Sequence, residues 1–113
     1  MSTSPRPFEI QPEELAALLN DQPDSIRLID CRQEDEYAIC RIDDAELMPL
    51  PQFPETVQRL DDKTQHLVVY CHHGMRSARA TEYLRAIGYS ETQSLAGGID
   101  RWSIEIDPNI SRY

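Results

Sequence analysis

Four consecutive apolar residues, Leu67-Val68-Val69-Tyr70, run into Cys71 and the polar stretch His72-His73-Gly74-Met75-Arg76-Ser77, and a helical pattern starts at once. A strand that is apolar throughout belongs in the middle of a sheet covered on both faces. Strand, tight loop and helix in immediate succession is the half-unit of an α/β fold with a mainly parallel sheet. The same succession puts a thiol at the carboxyl end of a central strand, the edge at which such sheets bind ligands. Backbone N–H groups converge there and the helix dipole is positive. Both favour thiolate over thiol, and the thiolate is the nucleophile.

The rest of the chain repeats the alternation. Phe8-Glu9-Ile10 reads as a short edge strand, and Pro12 suits the first turn of a helix carrying Leu15, Leu18 and Leu19 on one face, closed by Asn20 to Pro23. Ile26 to Asp30 reads as a strand, Gln33 to Ile39 as a short helix with acids in its first turn, and Ala45 to Leu50 as a weak strand. Pro51 and Pro54 bound an expected loop, with a short amphipathic helix at Val57 and Leu60 and a turn at Asp61-Asp62-Lys63. The strongest helix runs from Arg76 to Ile87, with Ala80, Tyr83, Leu84 and Ile87 on its expected inner face and Gly88 as its stop. Thr92 to Leu95 is a short strand, and Gly97-Gly98 opens a last helix ending near Trp102. Residues 1–7, rich in Ser, Pro and Thr, read as a flexible lead-in to a single domain over residues 8–113.

Composition narrows the function. Twenty acids against 11 bases leave a net charge of −9, which opposes a nucleic-acid binder or an anionic-membrane binder. Ten of the bases are arginine, whose planar fork suits oxyanions and carboxylates. The three cysteines, Cys31, Cys40 and Cys71, form no CxxC pair, so neither a disulfide framework nor a structural zinc site is expected. No charged-then-apolar leader and no membrane-length apolar run is present, and a cytoplasmic location fits best.

Cys71 to Arg76 is a C-x4-R loop short enough to curl on itself, with Gly74 permitting a left-handed backbone. Such a curl turns successive N–H groups inward as an anion nest. Arg76 can face a bound group or pair outward, Ser77 can cap the helix, and His72 and His73 add positive potential where protonated.

These residues resemble the single-domain rhodanese-like sulfurtransferases. Leu28-Ile29-Asp30-Cys31-Arg32 with Glu36-Tyr37, Tyr70 to Ala78, Leu84 to Tyr89, and Leu95-Ala96-Gly97-Gly98-Ile99 with Trp102 match four family segments in order, over nearly the whole chain. The resemblance implies a central, mainly parallel sheet of about five strands flanked by helices on both faces. It implies that Cys71 takes a sulfane sulfur from a donor such as thiosulfate or a persulfide, and that His72, His73, Gly74, Met75, Arg76 and Ser77 cradle that sulfur. A nucleophilic acceptor then removes it, without metal or organic cofactor. Asp30 and Arg32 shape the pocket, through a structural ion pair or by direct contact. The tail Glu105 to Tyr113 is similar to rhodanese domains fused behind adenylyltransferases that serve sulfur-carrier proteins, which makes a sulfur carrier or an adenylyltransferase a candidate partner.

The chain departs from the family where Cys40-Arg41-Ile42-Asp43-Asp44-Ala45 replaces Gly-His-Ile-Pro-Gly-Ala, so a different backbone path is expected there. Cys31 stands in place of the usual valine, either as a core residue or, if its strand neighbours that of Cys71, as a resolving thiol; Cys40 reads as an incidental loop thiol. Two rival functions remain. A phosphatase or arsenate reductase on this fold is disfavoured by a loop one residue shorter than C-x5-R. A non-catalytic binding or regulatory module requires the altered loop to close the pocket.

Overall fold

The computed structural model describes residues 6–113, so most of the expected lead-in over 1–7 lies outside the described residues. Its last two positions are tied down: the Arg85 guanidinium donates to the Arg6 carbonyl (2.8 Å) and the Gln93 amide to the Pro7 carbonyl (2.9 Å).

Five strands and five α-helices alternate: β1 (Glu9–Ile10), α1 (Pro12–Asp21), β2 (Ile26–Asp30), α2 (Glu34–Ile39), β3 (Glu46–Leu47), α3 (Phe53–Thr56), β4 (His66–Tyr70), α4 (Met75–Ala86), β5 (Gln93–Leu95) and α5 (Gly98–Glu105). The strands form one sheet in the order β1-β5-β4-β2-β3, with every pair parallel. At the starts of α1 and α2 the carboxylates of Glu14 and Glu36 accept the N–H groups of Gln11 (3.1 Å) and Gln33 (3.0 Å), which satisfies otherwise orphaned donors. No helix among the described residues is long and apolar enough to cross a membrane.

Alternation along β2 and β4 divides the core. Ile26, Leu28, Val68 and Tyr70 face one layer, where they pack with Leu15 of α1 and Ile99 and Trp102 of α5. Ile29, Cys31, Leu67, Val69 and Cys71 face the other, with Phe53 of α3 and Ala80 and Leu84 of α4. All five residues of β4 are buried, the apolar run Leu67–Tyr70 as its central place requires and His66 with its ring nitrogen bonded to Gln93 (2.8 Å).

Three local readings need correction. The Pro51–Pro54 segment is not a loop: a 3-10 turn over Leu50–Gln52 leads straight into α3, each proline lying in a first turn, where its missing N–H costs nothing. The inner stripe of α4 is Ser77, Ala80, Thr81 and Leu84, while Tyr83 and Ile87 are each 37% exposed. Two hydroxyls hide that stripe from a hydropathy reading, and both are satisfied, Thr81 donating to the Ser77 carbonyl (2.7 Å) and Ser77 bonding Ser94 (2.8 Å). The last helix continues past Trp102 to Glu105, with Ile106 and Ile110 packed on the core beyond it.

Candidate active site

The site is built where β4 ends. Asp30 of β2 pairs with Tyr70 of β4, and the Cys31 N–H donates to the Tyr70 carbonyl (3.0 Å), so Cys31 and Cys71 occupy the next rung of the ladder, on the same face. The loop after Cys71 then curls as the sequence anticipated. Gly74 takes φ +119°, a conformation glycine adopts without penalty, and its N–H donates to the Cys71 Sγ at 3.0 Å. The Ser77 N–H, in the first turn of α4, reaches the same sulfur at 3.4 Å, and its hydroxyl lies 3.5 Å away.

A second element sets this curl from behind. The N–H groups of Ile99 and Asp100, in the first turn of α5, donate to the carbonyls of Cys71 (2.9 Å) and His72 (3.1 Å). In a trans peptide the N–H opposes the C=O. Holding those two carbonyls toward α5 therefore turns the N–H groups of His72 and His73 the other way. The approach is close enough to require Gly98, since a Cβ there would stand 2.4 Å from the His72 oxygen and 2.5 Å from that of Cys71.

Cys71 is ionised by this setting. Its pKa is lowered to about 5, first through the neighbouring Cys31 thiol; burial opposes this, and the Ser77 hydroxyl and the Ser77 and Gly74 amides assist. The same neighbour, with burial, pushes Cys31 far above the ordinary thiol range.

Around the sulfur lies a cleft of about 370 Å³ lined by Cys71, His72, His73, Met75, Arg76 and Arg79. A larger hollow of about 480 Å³, among Leu19, Ile26, Leu28, Trp102 and Ile106, holds no thiol, hydroxyl or imidazole side chain. Met75 is 77% exposed at the cleft mouth. Arg76 pairs outward: its two terminal nitrogens meet the two oxygens of Glu36 at 2.6 and 2.9 Å, and this fork pulls the Glu36 pKa down to about 2. His72 is stacked between His73 and Tyr113, each 4.0 Å away between ring centroids, and its pKa falls below the ordinary imidazole value through burial and the neighbouring His73. His72 is therefore neutral at pH 7. The donor atoms of His72, His73 and Asp100 come within 4.8 Å of one another, but Asp100 is already paired with Arg112 (3.1 Å).

Asp30 and Arg32 form a fully buried ion pair at 2.7 Å. Arg32 also donates to the Cys40 carbonyl (2.6 Å) and the Tyr113 hydroxyl (2.8 Å), which in turn donates to Glu36 (2.7 Å). Their side chains present no surface to the cleft; the Tyr113 hydroxyl links Arg32 to Glu36, the partner of Arg76. In the Cys40–Asp44 loop, Asp44 itself adopts φ +67°, so the turn keeps a left-handed residue without glycine. Sequence reasoning missed Gly98 as the loop's support, Ser94 as the partner of Ser77, and Tyr113 as the cover over His72. The Gly-Gly pair was the one available signal for the first; the others depend on contacts between residues far apart in the chain.

Residues 11–105 match the rhodanese-like domain family. The chain belongs to that family. A sulfurtransferase of Allochromatium vinosum is 36% identical over 95 residues, covering 84% of this chain and 87% of that protein. The probable adenylyltransferase/sulfurtransferase MoeZ of Mycobacterium tuberculosis is 36% identical over 107 residues, and the chloroplastic rhodanese-like/PpiC domain-containing protein 12 of Arabidopsis thaliana 31% over 111. This chain aligns with 92% and 93% of its own length to those two, but with only 26% and 37% of theirs. Among solved structures, the human single-domain sulfurtransferase TSTD1 superposes with a TM-score of 0.78 at 26% identity, covering 88% of this chain and 98% of that one. A rhodanese-like domain protein of Staphylococcus aureus gives 0.79 at 26%, covering 95% and 99%.

Proposed function

We propose that this rhodanese-like chain is a sulfurtransferase that moves a sulfane sulfur from thiosulfate or a persulfide to a nucleophilic acceptor through a persulfide on Cys71. The observation that carries the reading is a single sulfur at the end of β4 receiving the N–H groups of Gly74 and Ser77, with its pKa lowered to about 5. In the first half-reaction the Cys71 thiolate attacks the outer sulfur of the donor, the donor's S–S bond breaks, and the remainder leaves with the electron pair, as sulfite when the donor is thiosulfate. In the second, an acceptor attacks the terminal sulfur of the persulfide and Cys71 departs as thiolate. A low pKa makes Cys71 a good leaving group there. The loop N–H groups, fixed before reaction, stabilise the negative charge on whichever sulfur carries it. His72, its pKa held below the ordinary imidazole value and its ring covered by Tyr113, is poorly suited to act as a general acid in either step. Such covalent two-step transfer gives ping-pong kinetics.

The relatives that join an adenylyltransferase to a sulfurtransferase support a carrier protein or an adenylyltransferase as the physiological partner. The deciding measurement is the intact mass after exposure to thiosulfate and removal of excess donor. One added sulfur atom on the wild type, mapped to Cys71 and absent from Cys71→Ser, is the expected result. No adduct together with no sulfite released from thiosulfate, or an adduct that survives in Cys71→Ser, refutes the reading. Loading without transfer to cyanide or any thiol points instead to a binding module.

A further inference from the structure

A second buried thiol faces the nucleophile across one rung of the sheet. Cys31 is fully buried, follows β2 as Cys71 follows β4, and stands directly across the ladder from it on the α3/α4 face. Neighbouring strands lie about 4.8 Å apart, inside the about 4.4–6.8 Å between Cα atoms that a disulfide spans. The sheet order places β2 on one side of β4 and β5 on the other. Ser77, anchored to Ser94 of β5, meets the Cys71 sulfur from the β5 side. Cys31 lies on the β2 side. A thiol on one flank and hydrogen-bond donors on the other set the nucleophile's sulfur between an attacking group and groups that can hold a departing anion. No external thiol can take the position Cys31 occupies.

We infer that Cys31 is a resolving thiol that discharges the Cys71 persulfide within the same chain, releasing hydrosulfide and leaving a Cys31–Cys71 disulfide. The inference rests on the persulfide reading above. Cys31 Sγ bonds to Cys71 Sγ, and the bond from Cys71 Sγ to the terminal sulfur breaks. One proton leaves Cys31 and one joins the departing sulfur, so a persulfide anion and one thiol become one disulfide and one hydrosulfide ion. The terminal sulfur is reduced, Cys31 is oxidised, and no outside oxidant enters. Cys31 gives up its proton as its sulfur bonds, and the departing sulfide takes one up from water in the cleft. A carrier or thiol that arrives first takes the sulfur intact; in its absence the enzyme releases sulfide and is locked until a dithiol reduces it. Cys71 is then out of action in a form that added sulfur donor cannot reload.

The test uses the whole chain, reduced, freed of reductant, loaded with thiosulfate and rapidly desalted. In the wild type the one-sulfur adduct is expected to give way, with no added acceptor, to a species two hydrogens lighter than the reduced protein. One equivalent of sulfide should appear with it, and a Cys31–Cys71 cross-linked peptide. Cys31→Val, which brings in the residue usual in the family at this position, and Cys31→Ala, a fallback should it fold poorly, are expected to load more slowly, Cys71 having lost the leading cause of its lowered pKa, and then to hold the persulfide more than about tenfold longer, since a thiol held beside the reacting sulfur reacts far faster than one in solution. A wild-type adduct as long-lived as those of the variants, with no cross-linked peptide, overturns the inference and leaves the sulfurtransferase reading standing. Failure of both wild type and variants to take up sulfur overturns both.

Discussion

Substituting Gly98 by alanine tests whether α5 holds the catalytic loop. Residue 98 sits at φ +61°, where a side chain costs about 1–2 kcal/mol. The new Cβ would lie 2.4 to 2.6 Å from three atoms of the Cys71–His72 backbone, so the loop must retreat by roughly 1 Å to reach ordinary contact. That retreat breaks the Ile99-to-Cys71 and Asp100-to-His72 hydrogen bonds, each worth about 1 kcal/mol. The expected loss is about 3–4 kcal/mol, read in urea or heat melts as a Tm lower by on the order of 10 °C. Because the displaced atoms flank the nucleophile, persulfide formation from thiosulfate should slow by about 100-fold. The Cys71 pKa, followed by the pH dependence of iodoacetamide alkylation, should rise as the Gly74 and Ser77 donors are drawn away. Gly88→Ala is the control: φ is +111°, but the Cβ meets only the flexible Lys63 side chain, so the expected cost is about 1–2 kcal/mol with alkylation unchanged. A Gly98→Ala protein within about 1 kcal/mol of the wild type, with an unaltered alkylation profile, would refute the clasp.

Alkylation of Cys71 should be independent of pH near neutrality and fall as pH drops through about 5, while an ordinary thiol is still losing reactivity between pH 9 and 7. Because the folded pKa is depressed, its contribution to stability is full above the unfolded value of about 9 and is lost as pH falls toward 5, a slope that Cys71→Ser should flatten in melts across that range. Ser77→Ala removes one donor to the thiolate and leaves Ser94 without its partner, so the alkylation pKa should rise, with about 1–2 kcal/mol lost in the melt. Arg32→Leu strands the buried Asp30 carboxylate and should cost about 3–5 kcal/mol, partly recovered by adding Asp30→Leu; a single variant within about 1 kcal/mol of the wild type would show that the pair contributes little.

The central part of the fold was readable because each of its signals is local. An unbroken apolar strand, a glycine where the backbone must turn left-handed, and a helix starting directly after it place Cys71, Gly74 and Ser77 with no knowledge of the rest of the chain. The division of β2 and β4 between two core layers follows from strict alternation. The α4 face was misjudged because Tyr83 and Ile87 are apolar by type, while the residues that pack inward include Ser77 and Thr81, whose hydroxyls find partners only in the fold. The prolines at 51 and 54 read as loop signals because a proline in a first helical turn and a proline in a turn look alike over a few residues. Arg32 is expected from sequence to shape the pocket with Asp30, by an ion pair or by direct contact, and only the structure shows that Asp30, Cys40 and Tyr113 take its donors. The adjacency of Cys31 to Cys71 was conditional on the strand order, which no local pattern specifies.

Helix α5 clasps the carbonyls of Cys71 and His72, and β5 supplies the anchor for Ser77, yet both are made from the last fifth of the chain. During synthesis, a polypeptide that has released Cys71 from the ribosome but not yet residues 93 to 105 carries an ordinary cysteine. Its sulfur stays quiet while the nascent chain is unfolded and exposed to every electrophile around it. The Ser77 anchor and the α5 clasp reach it only when the closing segment docks, so the nucleophile gains its full setting as the domain is completed.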